Sequence, residues 1–336
     1  MKVLFDHASP FLLSHGGFQV QIQETKAGLE NEGIQVEYLR WWDENQKGDL
    51  IHYFGLPSLS YLNQMQTKKV PLVCTHLLTG SCNRSDLLLA VQGALYRLMM
   101  AVPGWDLIKN QTTWPVIRNL PHLVVGLEAE KKVLTTAFAL PPERINLIPL
   151  GLHEDFLAAK PAPDKQPWLI TTGTITARKR SLELARLAKE ARTPLLFVGK
   201  PYSEKDPYWK KFQAELDGRY VLHQSHVDNR VDMIGLLTQA RGFALLSQHE
   251  NWCLSAHEAT ACGLPLLVQD QKWSKERFGP EAHYWPPKPG PDHTRILREF
   301  YDLCPSLSKP AIKLYSWTEV AQQLKSIYET VLLKYR

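Results

Sequence analysis

The chain has 336 residues, long enough for two domains of ordinary size. Its 44% hydrophobic and 22% charged content is that of a globular protein and excludes a disordered chain. Five cysteines without tight spacing exclude a disulfide framework or a zinc site. The net charge of +5 is uneven: residues 1–160 carry 14 basic and 15 acidic side chains, the remainder 25 and 19. A basic second half suits a phosphate-bearing ligand. A nucleic-acid face would need a basic stripe interleaved with aromatics, and the sequence has none.

Met1–Asp6 lacks a signal-peptide core and reads as a first strand, so a cytoplasmic chain is expected. A loop from Asp6 to His15 leads to Gly16-Gly17 and a helix from about Gln19 to Glu32. A glycine pair at that turn lets backbone approach a ligand and leaves helix amides open to phosphate. Val36–Leu39, Asp49–Phe54 and Pro71–His76 read as the next strands, with His76 at a carboxyl end. Ligands of open α/β sheets bind beyond those ends, so His76 is a candidate on the acceptor side; a structural histidine is the other reading.

Leu87–Trp105 is rich in Leu, Met and Ala but carries Gln92, Gly93 and Arg97, which is too polar for a spanning helix. A buried or partner-facing amphipathic helix is the first reading, and peripheral membrane contact through residues 87–105 the second. His122–Val125 reads as a strand and Glu130–Ala139 as a short helix. Three prolines within Ala158–Pro167 read as a linker, which divides the chain into domains 1–157 and 168–315.

The second domain opens on the strand Trp168–Gly173. Thr174 follows, then the basic run Arg178-Lys179-Arg180 and a helix from Ser181 to Arg192. A charge run is usually a solvated loop, but this one follows the first strand of a βα unit, where such domains hold phosphate. Pro194–Lys200 and Tyr220–His223 are further strands, and Trp209–Leu216 and Val231–Ala240 further helices. After Val268 comes a loop rich in Trp and Lys. Ile296–Leu303 is helical, and Trp317–Lys334 is amphipathic, with Val320, Leu324, Ile327 and Val331 on one face.

The stretch Ser247–Pro265 lies between the apolar runs Phe243–Leu246 and Leu264–Val268, and Gly263 stands where a helix C-cap wants glycine. The spacing predicts strand, helix, strand. Glu250 then lies at or just before the helix N-terminus. Glu258 lies about two turns in, roughly 12 Å along the axis. A nucleotide-sugar beside such a helix would place phosphates at the amides and a hydroxyl-bearing ring at each carboxylate. Two solvated carboxylates on a surface helix are the alternative.

Ser-x-x-Glu at Ser247–Glu250, followed after seven residues by Glu258-Ala-x-Ala-x-Gly-x-Pro265, resembles the signature of the retaining nucleotide-sugar glycosyltransferases of family 4. The resemblance implies the GT-B fold: α/β, two Rossmann-like domains facing a central cleft, with the last helix (317–336) returning to the first domain. It implies that Glu250 contacts the donor sugar, that the amides of Asn251, Trp252, Cys253 and Leu254 hold sugar and phosphate, and that Glu258 binds the ribose hydroxyls. The family has Gly-Phe-Gly where this chain has Asn251-Trp252-Cys253. Gly16-Gly17 matches a pair that faces the donor phosphates, and Gly173-Thr174-x-x-x-Arg178-Lys179 matches a recognisable subgroup, with Lys179 as the main cation.

The implied reaction is metal-independent transfer from a nucleoside-diphosphate sugar to an acceptor hydroxyl, with retention and without a cofactor. Lys179, Glu250 and His76 are the catalytic candidates. The acceptor class is open among glycan, lipid and small molecule, and no nucleic-acid partner is expected. No Asp-x-Asp is present to hold a divalent metal. A nucleotide-sugar epimerase of the same fold, or a binding protein that transfers nothing, are the alternatives.

Overall fold

The computed structural model describes residues 1–12, 16–78, 80–105, 109–227 and 229–335. The end of the Asp6–His15 loop, residues 13–15, lies outside the described residues. Twelve short, mostly apolar segments form two six-stranded sheets, and every pairing is parallel. The first sheet holds β1 (Lys2–His7), β2 (Gln35–Tyr38), β3 (Leu50–Phe54), β4 (Leu72–Thr75), β5 (Leu123–Val125) and β6 (Ile145–Leu147), in the order β2-β1-β3-β4-β5-β6. The second holds β7 (Leu169–Thr172), β8 (Leu195–Val198), β9 (Val221–Gln224), β10 (Phe243–Ala244), β11 (Leu266–Gln269) and β12 (His283–Trp285), in the order β12-β11-β10-β7-β8-β9. β3, β4, β7, β8 and β11 are buried along their whole length, as strands covered on both faces must be. This is a pair of Rossmann-like α/β units.

Each sheet order reverses once. The chain runs from β1 out to β2 and resumes on the other flank of β1 with β3. It likewise runs from β7 through β8 to β9 and resumes on the other flank of β7 with β10. At such a point the loops leave adjacent strands in opposite directions and open a crevice at the carboxyl ends.

By contacts, the first unit is Met1–Ser14, Phe18–Gly151 and Trp317–Arg336, and the second is His15–Gly17 and Leu152–Ser316. The proline-bearing segment 158–167 is tied to the second unit: Ala162 N donates to Thr238 O and Gln166 N to Gln239 O. Helices Leu59–Thr67, Trp114–Asn119 and Glu154–Leu157 were not foreseen. The stretch after Val268, expected as a loop, contains the helix Lys272–Phe278. Trp273 is fully buried there, and Gln271 and Ser274 close its first turn with reciprocal hydrogen bonds. That burial and cap outweigh a composition that reads as loop.

Helix Asp86–Ala101 turns Leu89 and Gly93 inward; a Cβ on Gly93 would stand 2.4 Å from Thr136 O. Its other face leaves Leu87, Leu88, Val91, Leu95 and Leu98 exposed. Among the described residues, no helix is long and apolar enough to cross a membrane.

The helix Trp317–Leu333 packs on the first unit through a buried polar chain. His52 Nδ1 lies 2.6 Å from Tyr328 Oη, and His52 Nε2 lies 2.7 Å from Thr75 Oγ1. Burial holds the His52 ring at a pKa of about 3, so it is neutral and its two nitrogens play opposite roles. Gln322 and Lys325 add hydrogen bonds to Glu32. Removing the phenol leaves a buried ring nitrogen without its partner. Tyr328→Phe should therefore destabilise the first unit by about 1–3 kcal/mol, read as a lower urea midpoint at unchanged slope.

Candidate functional site

A largely buried cluster of charge in the second unit lies at the β7/β10 reversal. β7 ends in Thr172 and the chain turns through Gly173. Gly173 has φ of +140°, and a Cβ there would meet Lys179 Cε at 3.6 Å. The neighbouring β8 is followed by Gly199, where a Cβ would stand 2.0 Å from Gly173 O, so only glycine fits this close approach. Thr172, Gly173, Thr174, Ile175 and Lys179 line one pocket. Thr172 Oγ1 is buried there without a hydrogen-bond partner.

Glu250 receives this loop from the far side of the reversal. Its Oε1 accepts from Lys179 Nζ at 2.5 Å, Arg178 Nη1 at 3.0 Å and Ser247 Oγ at 2.7 Å. Arg178 also donates to His249 O at 2.7 Å, and Gln248 N to Arg178 O at 2.8 Å. The Lys179 and Glu250 side chains are 13% and 10% exposed, so the pair is largely withdrawn from water. Burial pushes the Glu250 carboxyl up, but Lys179 and Arg178 beside it prevail and hold it below its usual value. Arg180, third in the basic run, stands at the N-cap of helix Ser181–Glu190 in the left-handed region, φ 51°.

The expected helix around Glu250 is shorter than its sequence suggests. It runs from Leu254 to Ala261, so Glu250 precedes it by four residues and Glu258 lies about one turn in. The cause is Cys253, which takes a left-handed φ of 58° at the N-cap and breaks the helix there. This is the position where the resembling family has glycine, and its backbone explains why.

The three residues that depart from the Gly-Phe-Gly pattern are all buried. Trp252 stacks on His257, with ring centroids 4.9 Å apart and planes 8° apart, and the Arg277 guanidinium lies 3.9 Å from the Trp252 centroid. Arg277 Nε donates to His257 Nε2 at 3.2 Å, and His257 Nδ1 lies 3.0 Å from Cys253 O. Burial, with Arg277 adding to it, lowers the His257 pKa to about 3. The bulky Trp252 side chain is thus committed to the interior. What this turn offers a ligand is backbone: Ala256 N and His257 N donate to Cys253 O, which leaves the amides of Leu254 and Ser255 at the helix start without a partner within the helix. The His257–Arg277–Trp252 stack was not foreseen, and its members have no sequence spacing that would reveal it.

Gly16 and Gly17 group with the second unit. Cβ atoms built on them would lie 3.8 Å from Thr174 Oγ1 and from a Leu254 methyl, respectively. The loop, the basic turn and the helix N-terminus are therefore brought together. His76 belongs to the first unit, directly after β4, where burial holds its ring at a pKa of about 4. Among the described residues no group of His, Cys, Asp and Glu is arranged to hold a metal ion.

Glu258 is half-buried; its carbonyl accepts from Cys262 N, and its carboxyl has no hydrogen bond or ion pair among the described residues. Burial raises its pKa to about 7, against the pull of Arg230 and Lys179. A carboxyl raised above its unfolded value of 4.5 favours the fold while protonated, and loses that contribution as pH rises through about 7. Glu258→Gln should gain Tm over the original chain as pH goes from 5 to 8, with near equality at pH 5. A pH-independent difference in calorimetry would contradict this.

Residues 153–293 match the family model described as Glycosyl transferases group 1. The MMP alpha-(1->4)-mannosyltransferase of Mycolicibacterium hassiacum is 25% identical over 233 residues, which is 65% of this chain and 56% of that protein. The chain thus spans little more than half the length of this curated relative. Among solved structures, the sucrose-phosphate synthase of Thermosynechococcus elongatus aligns with a TM-score of 0.64 at 16% identity, covering 99% of both chains. AviGT4, a glycosyltransferase involved in avilamycin A biosynthesis, aligns at 0.57 and 15%, covering 99% of this chain and 98% of its own. Anabaena HepE, solved with UDP and glucose, aligns at 0.59 and 13%, covering 99% and 96%. The fold is that of the GT-B glycosyltransferases.

Proposed function

We propose that the chain is a hexosyltransferase that moves a sugar from a nucleoside-diphosphate donor to an acceptor hydroxyl, with retention and without a metal. The observation that carries this reading is the Lys179–Arg178–Glu250 cluster, set beside an open helix N-terminus at the β7/β10 reversal. Diphosphate is the anion that two adjacent cations and a row of amides suit best. The group 1 match over the same residues and the sequence relationship to a mannosyltransferase support it.

In this reading the bond from the sugar C1 to the diphosphate oxygen breaks as the acceptor oxygen bonds to C1. The acceptor proton leaves with the diphosphate, whose oxygen gains charge. Lys179, Arg178, the amides at Gly16 and Gly17 and those of Leu254 and Ser255 meet that charge. Glu250 keeps the cations aimed and offers its second oxygen, Oε2, to a sugar hydroxyl, since the contacts above fall on Oε1. Glu258 takes the ribose hydroxyls. His76, neutral at pH 7, is a hydrogen-bond partner on the acceptor side. Retention and the nucleotide donor come from the motif resemblance. An epimerase or an inactive binding protein gains nothing from the comparisons.

A cation meeting charge that grows in the transition state acts on kcat more than on KM. With a cognate donor in EDTA, Lys179→Ala should lower kcat by about 10²-fold or more, while Arg180→Ala should be nearly silent. Loss of turnover in EDTA that manganese restores would end the metal-free reading. A purely KM effect of Lys179→Ala would end the role given to that residue.

The outward leucines of helix Asp86–Ala101, flanked by Arg84 and Arg97, support a peripheral place on an anionic membrane surface. The chain should co-sediment with phosphatidylglycerol vesicles and not with phosphatidylcholine vesicles. Leu95→Asp with Leu98→Asp should abolish that binding.

A further inference from the structure

The first sheet has a reversal of its own, between β1 and β3, and the side chains above it are of another kind. Asp6, near the end of β1, is 4% exposed. Its Oδ1 accepts from His7 N at 2.8 Å and Trp41 Nε1 at 3.2 Å, and its Oδ2 accepts from Tyr61 Oη at 2.9 Å. One buried carboxylate thus fixes an indole from the loop after β2 and a phenol from the helix after β3. Trp41 and Tyr61 lie with ring centroids 6.3 Å apart, and Tyr61 and Tyr53 5.2 Å apart.

Trp41 is nevertheless 72% exposed, and its neighbour Trp42 is 83% exposed. Single exposed apolar residues are ordinary, but two adjacent tryptophans on a rigid mount are not. The mount is rigid because Arg40 donates to Asp43 Oδ2 through Nε and Nη2, at 3.0 and 2.8 Å. Gln46 Oε1 accepts from Arg40 N at 2.8 Å, and Gln46 Nε2 donates to Tyr38 O at 3.1 Å. Flat indole faces held in water at the carboxyl end of a doubly wound sheet form a stacking platform.

The surrounding charge narrows the ligand. Two acidic side chains near it are already paired, Glu37 with Lys2 and Arg40, and Asp43 with Arg40. This platform therefore has no surplus of cations of the kind a nucleotide's phosphates need, and a neutral polyol needs none. A pyranose ring has apolar C–H faces that cover an indole and a rim of hydroxyls that suits carboxylates and amides.

We propose that Trp41, held by Asp6, and the adjacent Trp42 form a saccharide subsite in the first unit, and that the acceptor is a glycan or glycoside. The assignment of this saccharide as acceptor rests on the transferase reading above; the subsite itself does not. The test is saturation-transfer NMR with methyl α-D-glucopyranoside, methyl α-D-mannopyranoside and maltotriose. In parallel, the Tm shift produced by UDP, GDP and ADP is recorded on the same samples.

At least one saccharide should bind, with saturation strongest on its ring C–H protons. Trp42→Ala and Trp41→Ala should each weaken it tenfold or more, Trp41→Phe less, and Tyr202→Ala in the second unit not at all. The nucleotide Tm shift should be the same in all variants. Absence of saccharide binding, or equal binding in Trp42→Ala and Trp41→Ala, overturns the proposal. So does light scattering showing self-association that Trp42→Ala removes while saccharide binding persists. Saccharide binding lost in the variants, with no nucleotide shift in any sample, would leave the subsite standing and remove the transferase reading instead.

Discussion

Oε1 of Glu250 gathers Lys179, Arg178 and Ser247 onto one atom. A carboxylate so withdrawn from water is costly unless it is paired and hydrogen-bonded, and here both conditions are met by the same oxygen. The loop after β7 and the loop after β10 are joined by little else: Gln248 N and Ser247 Oγ on Arg178 O, and Arg178 on His249 O. Take away the carboxylate and two cations face each other across a closed turn. The left-handed turn at Cys253 and the start of the following helix come three and four residues after this carboxylate. The ion pair therefore ties together the two loops that meet at the reversal.

The two reversals share an architecture and differ in charge. At β7/β10 the sequence places basic residues on strand ends, and at β1/β3 it places a buried aspartate, phenols and indoles. The fold dictates where crevices open, and the side chains dictate what enters them. The same geometry thus carries cations in one unit and aromatic rings in the other.

Most strands were legible because a parallel strand covered on both faces must be an apolar run, and Leu50–Phe54, Leu195–Val198 and Leu266–Gln269 are such runs. Helix Leu59–Thr67 was not, because its polar residues leave only Leu62 buried and no clear stripe. The start of the helix at Leu254 was misplaced because nothing in Asn-Trp-Cys marks a left-handed residue; a glycine there would have. Lys179 and Glu250 were each singled out from their motifs, but their direct pairing at 2.5 Å was not foreseen, because it depends on β7 and β10 being neighbours in the sheet. Trp41 and Tyr61 could not, since residues 20 apart in sequence meet only through Asp6.

The buried link between His52 and Tyr328 joins residues 276 apart in the chain. On the ribosome, β1 to β6 emerge early but lack the helix that covers His52 and Thr75 until residues 317–335 follow. All of the second unit but His15–Gly17, that is Leu152–Ser316, is synthesised within that interval. The half that begins first is thus the half completed last, and its apolar face on β3 and β4 waits uncovered for the time taken to translate about 165 residues, of order ten seconds. Chaperone dependence should accordingly lie with the N-terminal sheet, and early termination within the last helix should yield a chain whose second unit is folded and whose first is not.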